Sequence, residues 1–416
     1  MKVLWFEVTT PSKYSCNDTI IAGWQDSLES IVSLHKGIEL SVAFISTNKD
    51  DKIKSINGIT YIPVILEYNI IEKIRRKLTW KVDANKYVPA LKRVIQDVMP
   101  DIIHVFGTEW PFGLVTKSIQ VPVVVHIMGS VTPYINAFYP VGFNLMNEII
   151  SLPFYRIDRM VAKIIYYHKY QTWTEIEADV WNCVKFYMGR TDWDKSLSRI
   201  MHPGRMYYHV EEAMRPIFFS DKYIWKGFDG GKLRLITIGC SSYWKGPDML
   251  LKTASILTSL GIQYEWIVAG LVSREMIDAI ENKTHLYFKN TSVIFVGQMT
   301  AEQLCDKLSS STFYVHTAYI ENSPNSICEA QLLGIPIIST NVGGIKSLIG
   351  DYGKMVPAND PWQMADAVIQ LSKDYERMER YSKYGREQAL MRHNEKNILK
   401  QLLDCYSNIV TKSNGC

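Results

Sequence analysis

Two glutamates with seven residues between them, Glu321 and Glu329, bracket the segment Glu-Asn-Ser-Pro-Asn-Ser-Ile-Cys-Glu. The apolar run Phe313–His316 before them reads as a strand, and the stretch 326–333, which contains Glu329, reads as a helix. Ser323 is placed to cap that helix, Pro324 fits its first position, and Gly334 suits the residue past its end. The helix N-terminus then opens beyond the carboxyl end of a strand, where open α/β sheets bind ligands. The amides near Asn325 and Ser326, with the positive end of the dipole, suit a phosphate. A carboxylate accepts two hydroxyl hydrogen bonds at once, which suits a ribose diol or a sugar ring. On pattern alone, two solvated glutamates beside a helix start account for the pair somewhat better.

Two further segments could serve the same ligand. Gly343 and Gly344 follow the run Pro336–Ser339 and let a backbone come close to a bound group. A tight turn explains them equally well. Gly239-Cys-Ser-Ser-Tyr-Trp-Lys245-Gly246-Pro247 follows the run Leu233–Ile238, and Lys245 brings a compact cation to a strand's end. Read alone, a solvated loop lysine is at least as good an account.

The elements that must position these residues alternate. In the C-terminal half the runs Leu233–Ile238, Tyr264–Val268, Val293–Val296, Phe313–His316 and Pro336–Ser339 are interleaved with helical patterns at 248–260, 273–283, 301–309 and 326–333. Such alternation predicts a parallel sheet covered on both faces. Thr300 with Gln303 and Asp360 with Gln363 read as capping boxes, with Pro361 at a first helical position. In the N-terminal half the strand candidates are Val3–Phe6, Glu39–Ile45, Ile59–Pro63, Ile102–Val105 and Val121–Ile127. Helices are expected at 20–35, 68–78, 86–98 and 112–118, which gives a second doubly wound domain. The 416 residues suit two domains of about 200 each. The expected division is 1–214, a linker at 215–230 rich in Gly and charge, 231–393, and a last helix over 394–416 crossing back to the first domain.

Composition excludes some classes. With 47% hydrophobic and 21% charged residues the chain is ordinary for a globular protein, and a net charge of +4 is too mild for a nucleic-acid binder. The seven cysteines show no C-x-x-C pairs, so a reducing, cytoplasmic setting is expected over disulfides or zinc. The opening MKVLWFEVTT reads as a strand and lacks the marks of a signal peptide, and no apolar run is long enough to span a bilayer. Tyr155–Tyr170 mixes Arg, Lys and aromatic residues. A membrane-resting face would explain that mixture, and a partly buried helix with basic edges is the expected reading.

Taken together, the chemistry-bearing segments resemble the donor site of retaining GT-B glycosyltransferases of the large family four, the glycosyl transferases group 1. The carriers are the Glu321/Glu329 spacing, the continuation Glu329, Ala330, Gly334, Pro336, the run Gly343, Gly344, Ile345, and the ending GKMVPANDPWQMADAVIQL. The resemblance is detailed over 231–393 and looser before it. It implies two Rossmann-like domains with a cleft between them, the first for an acceptor and the second for a nucleotide-sugar, UDP- or GDP-linked. By position, Glu329 would bind ribose hydroxyls, Glu321 the donor sugar near its reacting end, and Lys245 the diphosphate leaving group. The Asn325 and Ser326 amides, the Gly343–Gly344 turn and the helix start after Gly246 would support the phosphates. No metal or other cofactor is implied. His104–Glu109 and Gly189–Asp194 resemble a subset of bacterial members that build capsule, O-antigen or exopolysaccharide on saccharide or lipid-linked acceptors. For that subset, contact with the inner face of the membrane is a further expectation.

The sequence also departs from the family. Cys240 stands where an Arg usually follows the glycine, and Met128 stands where a histidine is common. His126 shares a strand face with Met128 and is the candidate to replace that histidine, and a satisfied histidine at a strand end is an equally good account. Arg190 is the candidate to replace the missing cation, with a salt bridge to Asp192 or Asp194 as the favoured alternative. A nucleotide-sugar 2-epimerase on the same scaffold is the second reading, and these departures keep open a third, a non-catalytic GT-B module.

Overall fold

A computed structural model describes residues 1–15, 23–79 and 83–414, and their contacts divide them into two units. The first comprises Met1–Thr132, Ile165–Met214 and His393–Cys416, and the second Pro133–Ile164 and Arg215–Arg392.

In the first unit eight strands run β1 (Lys2–Glu7), β2 (Glu39–Ser46), β3 (Lys54–Ile56), β4 (Ile59–Ile65), β5 (Ile102–Phe106), β6 (Val123–His126), β7 (Phe186–Gly189) and β8 (Met206–His209). Their order in the sheet is β3-β4-β2-β1-β5-β6-β7-β8, all parallel except the β3–β4 pair. That hairpin turns at Asn57-Gly58, both at positive φ, as a tight two-residue turn requires. The central strands are near-continuous apolar runs, since both of their faces are covered: all of Ile102–Phe106 is buried. Among the helices, α1 (Ile70–Thr79) follows β4, α2 (Ile157–Cys183) leads toward β7, and the last helix of the chain packs on this unit. Tyr406 of that last helix accepts a hydrogen bond from Trp5 Nε1 at 3.0 Å, deep in the sheet's covering.

The second unit carries β9 (Leu233–Ile238), β10 (Tyr264–Ala269), β11 (Val293–Gly297), β12 (Phe313–His316), β13 (Ile337–Thr340) and β14 (Lys354–Val356). They form one parallel sheet in the order β11-β10-β9-β12-β13-β14. From β9 the chain winds outward to β10 and β11, then returns to β12 on the other side. The strand order reverses there, and the crevice at that reversal is where such sheets bind ligands. Helix α3 (Pro247–Ser259) follows β9, α4 (Asn325–Leu332) follows β12, and α5 (Ile345–Ile349) follows β13. Trp266, Val268, Phe313 and Val315 form the centre of the core. The Thr300–Gln303 capping box forms in both directions, and Asp360 caps the helix starting at Pro361 through the Gln363 amide at 3.0 Å.

Several local expectations shift. Helix α4 begins at Asn325 with Pro324 as its cap residue, so Ser323 lies outside it. The helix expected over 20–35 is observed as Trp24–Ser33, and residues 20–22 lie outside the described residues. Pro111–Ser118 winds as a tighter 3₁₀ helix, closely packed where Gly113 meets Val180 and Val184. Strands β3, β7, β8 and β14 are too short for periodicity to reveal. The stretch 215–230, expected as a linker, is anchored: Phe218 and Tyr223 are buried, and Trp225 donates from its ring nitrogen to the Ser311 carbonyl at 2.9 Å. Pro133–Ile164, expected with the first domain, packs with the second unit. Its Phe138 and Tyr139 rings lie 5.4 and 5.2 Å from those of Trp244 and Tyr243.

Candidate active site

In the second unit two loops meet at the carboxyl ends of the adjacent strands β9 and β12. After β9 the chain makes one tight turn, Tyr243–Lys245, and Gly246 ends it in the left-handed conformation at φ 72°. A Cβ on Gly246 would sit 1.9 Å from the Thr317 carbonyl oxygen, so only glycine lets the two loops touch. The Thr317 hydroxyl donates to the Lys245 carbonyl at 2.9 Å, and the Tyr319 amide to the Trp244 carbonyl at 2.7 Å. These bonds place Lys245 against the loop that holds Glu321, and the two side chains form an ion pair. Glu321 itself is buried.

A third loop, after β13, closes on the same point. The Gly344 amide donates to the Glu321 carbonyl at 2.9 Å, and a Cβ on Gly343 would lie 1.7 Å from that oxygen. The glycine pair thus fixes the backbone of Glu321, and the Gly344 amide is already engaged. His316, the last residue of β12, brings Nε2 to 3.8 Å from Glu321 Oε1. Burial, then the Lys245 charge, pushes its pKa down to about 3, so its ring is neutral. Tyr314 bonds both to His316 Nδ1 at 3.1 Å and to Ser326 Oγ at 2.8 Å, tying the strand end to the first turn of α4. The amides of Asn325 and Ser326 stand in that first turn, where a helix leaves its N–H groups without intrahelical acceptors.

Glu329 lies further along α4, buried, with Arg215 donating to Oε1 from Nε at 2.9 Å and from its terminal nitrogen at 2.6 Å. The structure therefore gathers Lys245, Gly246, Glu321, Gly343 and Gly344 around one point, with Asn325 and Ser326 on the helix next to it. Cys240, at the position of the family's arginine, is packed in the core, and burial pushes its thiol up to about 12.

His126 and Arg190 belong to the first unit. His126 ends β6, fully buried, with Nε2 3.1 Å from the Arg190 guanidinium and Nδ1 3.3 Å from His104 Nε2. Burial, the Arg190 charge and His104 together hold its pKa well below the ordinary range. The chain of contacts continues from His104 Nδ1 to the Tyr406 hydroxyl at 2.7 Å. Arg190 is buried and paired with Glu212, with the Trp24 ring 5.2 Å away. Asp194 takes no part in that ion pair. Its carboxylate accepts the backbone amides of Arg190 and Thr191 at 3.0 and 3.2 Å and caps the following turn.

Several partners escape a reading by spacing. Arg215 is 114 residues from Glu329, and nothing local marks it. Tyr134 accepts the Asn322 amide at 3.2 Å from a segment 188 residues away. His316 carried a usable signal, since it stands at the carboxyl end of a strand beside the glutamate loop. Among the described residues no three His, Cys, Asp or Glu side chains are arranged to hold a metal ion. None of the described helices is long and apolar enough to cross a membrane. In the Tyr155–Tyr170 stretch, Ile157, Val161 and Ile164 are exposed, while Arg159 pairs with Glu275 and Lys163 with Glu148.

Residues 222–388 match the family model described as glycosyl transferases group 1. The chain is similar to the capsular polysaccharide biosynthesis glycosyltransferase CapM of Staphylococcus aureus, 25% identical over 177 residues, which is 41% of this chain and 45% of that protein. The match thus spans less than half the length of that relative. Over nearly its whole length the chain shares a fold with solved proteins. Sucrose-phosphate synthase of Thermosynechococcus elongatus superposes with a TM-score of 0.73 at 15% identity, over 99% of each chain. HepE of Anabaena, solved in complex with UDP and glucose, gives 0.65 at 13% identity over 98% of this chain and 100% of that one. The fold is GT-B, two parallel-sheet α/β domains.

Proposed function

We propose, from the premise that this chain carries a glycosyl transferases group 1 domain over residues 222–388, that it moves a sugar from a nucleotide-diphosphate sugar to a saccharide or lipid-linked acceptor with retention of configuration. The observation that carries the reading is the meeting of Lys245, Glu321 and the Gly343–Gly344 turn at the strand-order reversal of the second unit. Lys245 meets the leaving diphosphate, whose charge grows as the bond from the sugar C1 to the phosphate oxygen breaks. The first-turn amides of α4 add fixed dipoles toward the same phosphates. Glu321, held by Gly344, faces the sugar, and Glu329 takes the ribose hydroxyls. The acceptor hydroxyl forms the new bond on the face the diphosphate leaves, and its proton goes out with the diphosphate. No metal takes part in this reading, because a cation and amide dipoles carry the phosphate charge. Within the first unit we propose His126 as the stand-in for the family histidine and Arg190 as a supporting cation; there the two side chains lie 3.1 Å apart and Arg190 pairs with Glu212.

The setting we propose is the cytoplasm, with bacterial capsule, O-antigen or exopolysaccharide synthesis as the role. The likeness to a capsular polysaccharide biosynthesis glycosyltransferase supports the role, and five described cysteines, all free thiols, fit the setting. Incubation with a panel of UDP-, GDP- and ADP-sugars tests the reading. Release of nucleoside diphosphate with a product of unchanged anomeric configuration is expected, and it persists in EDTA. A new sugar epimer would instead mark an isomerase, tight binding without turnover a binding module, and rescue of an EDTA-killed reaction by manganese a metal-dependent enzyme.

A further inference from the structure

The peptide bond that follows Glu321 is held at both of its ends. Its carbonyl, that of Glu321, accepts the Gly344 amide at 2.9 Å, and its N–H, that of Asn322, donates to the Tyr134 hydroxyl at 3.2 Å. Both groups belong to one planar unit and point to opposite sides of the chain, so a plane held at both ends does not turn. With that rotation blocked, ψ of Glu321 is fixed, and with it the direction in which the buried carboxylate leaves the loop toward Lys245. One of the two clamps is the glycine turn after β13. The other comes from Pro133–Ile164, which follows β6 in the chain yet packs with the second unit.

Tyr134 reaches the Lys245 loop as well. Its ring meets that of Trp244 edge to face, with centroids 6.2 Å apart and planes at 75°. Trp244 immediately precedes Lys245 in the chain. One side chain therefore contacts the residue after Glu321 and the residue before Lys245. The segment around it is well anchored: the Tyr139 hydroxyl donates to Glu148 at 2.9 Å, Glu148 pairs with Lys163, and Arg159 pairs with Glu275 at 3.0 Å. We propose that Tyr134 is a positioning residue of the donor site, aiming Glu321 through the Asn322 amide and Lys245 through the Trp244 ring, a role that rests on the sugar-transfer reading of that pair.

Tyr134→Phe removes the hydroxyl and keeps the ring on Trp244. With a donor selected from the nucleotide-sugar panel, kcat should fall about three- to tenfold, the worth of one neutral hydrogen bond. The Kd of the free nucleoside diphosphate should stay unchanged, because Trp244 and Lys245 remain in place. Tyr134→Ala removes both contacts and should weaken that Kd too. In a Glu321→Gln background, Tyr134→Phe should cost less than about twofold in kcat, since the charge being aimed is gone. Equal fractional losses in both backgrounds, or weaker nucleoside diphosphate binding by Tyr134→Phe, overturn the proposal. A gain in turnover does so too, because the hydroxyl would then compete with the donor for the Asn322 amide. A second readout needs no turnover. The coupling between Lys245→Ala and Glu321→Gln, measured by urea unfolding, should shrink by roughly half or more when the cycle is repeated with Tyr134→Phe. If the parent protein consumes no donor on the panel, the sugar-transfer reading fails and this cycle alone decides the role of Tyr134. An unchanged coupling overturns it.

Discussion

Removing Lys245 and neutralising Glu321 should not cost the same, although the two side chains form one ion pair. Glu321 is 5% exposed, while the Lys245 side chain is 27% exposed. Lys245→Ala leaves a buried carboxylate with the neutral His316 ring 3.8 Å away. A buried charge stripped of its partner costs ~3–5 kcal/mol when fully enclosed, and the partly open lysine side lowers that to ~2–3 kcal/mol here. Glu321→Gln leaves an ammonium that can turn to water, at a cost of less than ~1 kcal/mol. The Gln amide keeps the shape of the site. The double variant should be about as stable as Glu321→Gln alone, because the stranded charge is gone. The assay is urea unfolding of the four proteins without donor, read as a double-mutant cycle. Equal losses for the two single variants, or losses that simply add, would refute the argument that burial decides the energetics of this pair. Activity supplies a second arm. Lys245→Ala should lower kcat more than it raises the donor KM, because the diphosphate gains charge in the transition state.

Three other outcomes follow from the same geometry. Gly343→Ala would drive a Cβ into the Glu321 carbonyl at 1.7 Å and strain a residue at φ 52°, so it should destabilise the protein by ~2–4 kcal/mol and cut donor turnover; an unchanged melting temperature with full activity would contradict that. Glu329→Ala should weaken nucleotide binding by ~1.5–3 kcal/mol in calorimetry, and Arg215→Ala by less, since Arg215 positions the carboxylate; unchanged affinity in a folded Glu329→Ala protein would remove the ribose assignment. His316 is neutral in the fold, its pKa depressed to about 3 from 6.5, so its contribution to stability is complete above pH 6.5 and lost as pH falls toward 3. Relative to His316→Asn, wild-type stability should therefore drop by up to ~1.4 kcal/mol per pH unit below that point, and parallel stability–pH curves would refute the assignment.

The sequence by itself determined the strand–helix alternation of the second unit, and its resemblance to a family singled out Lys245, Glu321, Glu329 and the Gly343–Gly344 pair as candidates. Local physics suffices for the alternation: apolar runs bounded by glycine, and a proline at a first helical position, as at Pro361. Lys245, Glu321 and Gly343 each follow an apolar run that the sequence marks as a strand, which is why they stand out as candidates at strand ends. Only the tertiary structure decided what those residues touch. Arg215 reaches Glu329 across 114 residues of chain, and Gly344 reaches the Glu321 carbonyl because β12 and β13 are neighbours in the sheet. The burial of Arg190 against Glu212, with Asp194 capping the backbone instead, is a choice among carboxylates close in sequence that packing alone makes. The same holds for Pro133–Ile164, whose aromatic residues join the second unit. Spacing specifies which residues share a face; direction comes from the three-dimensional neighbours, and those are set by strand order.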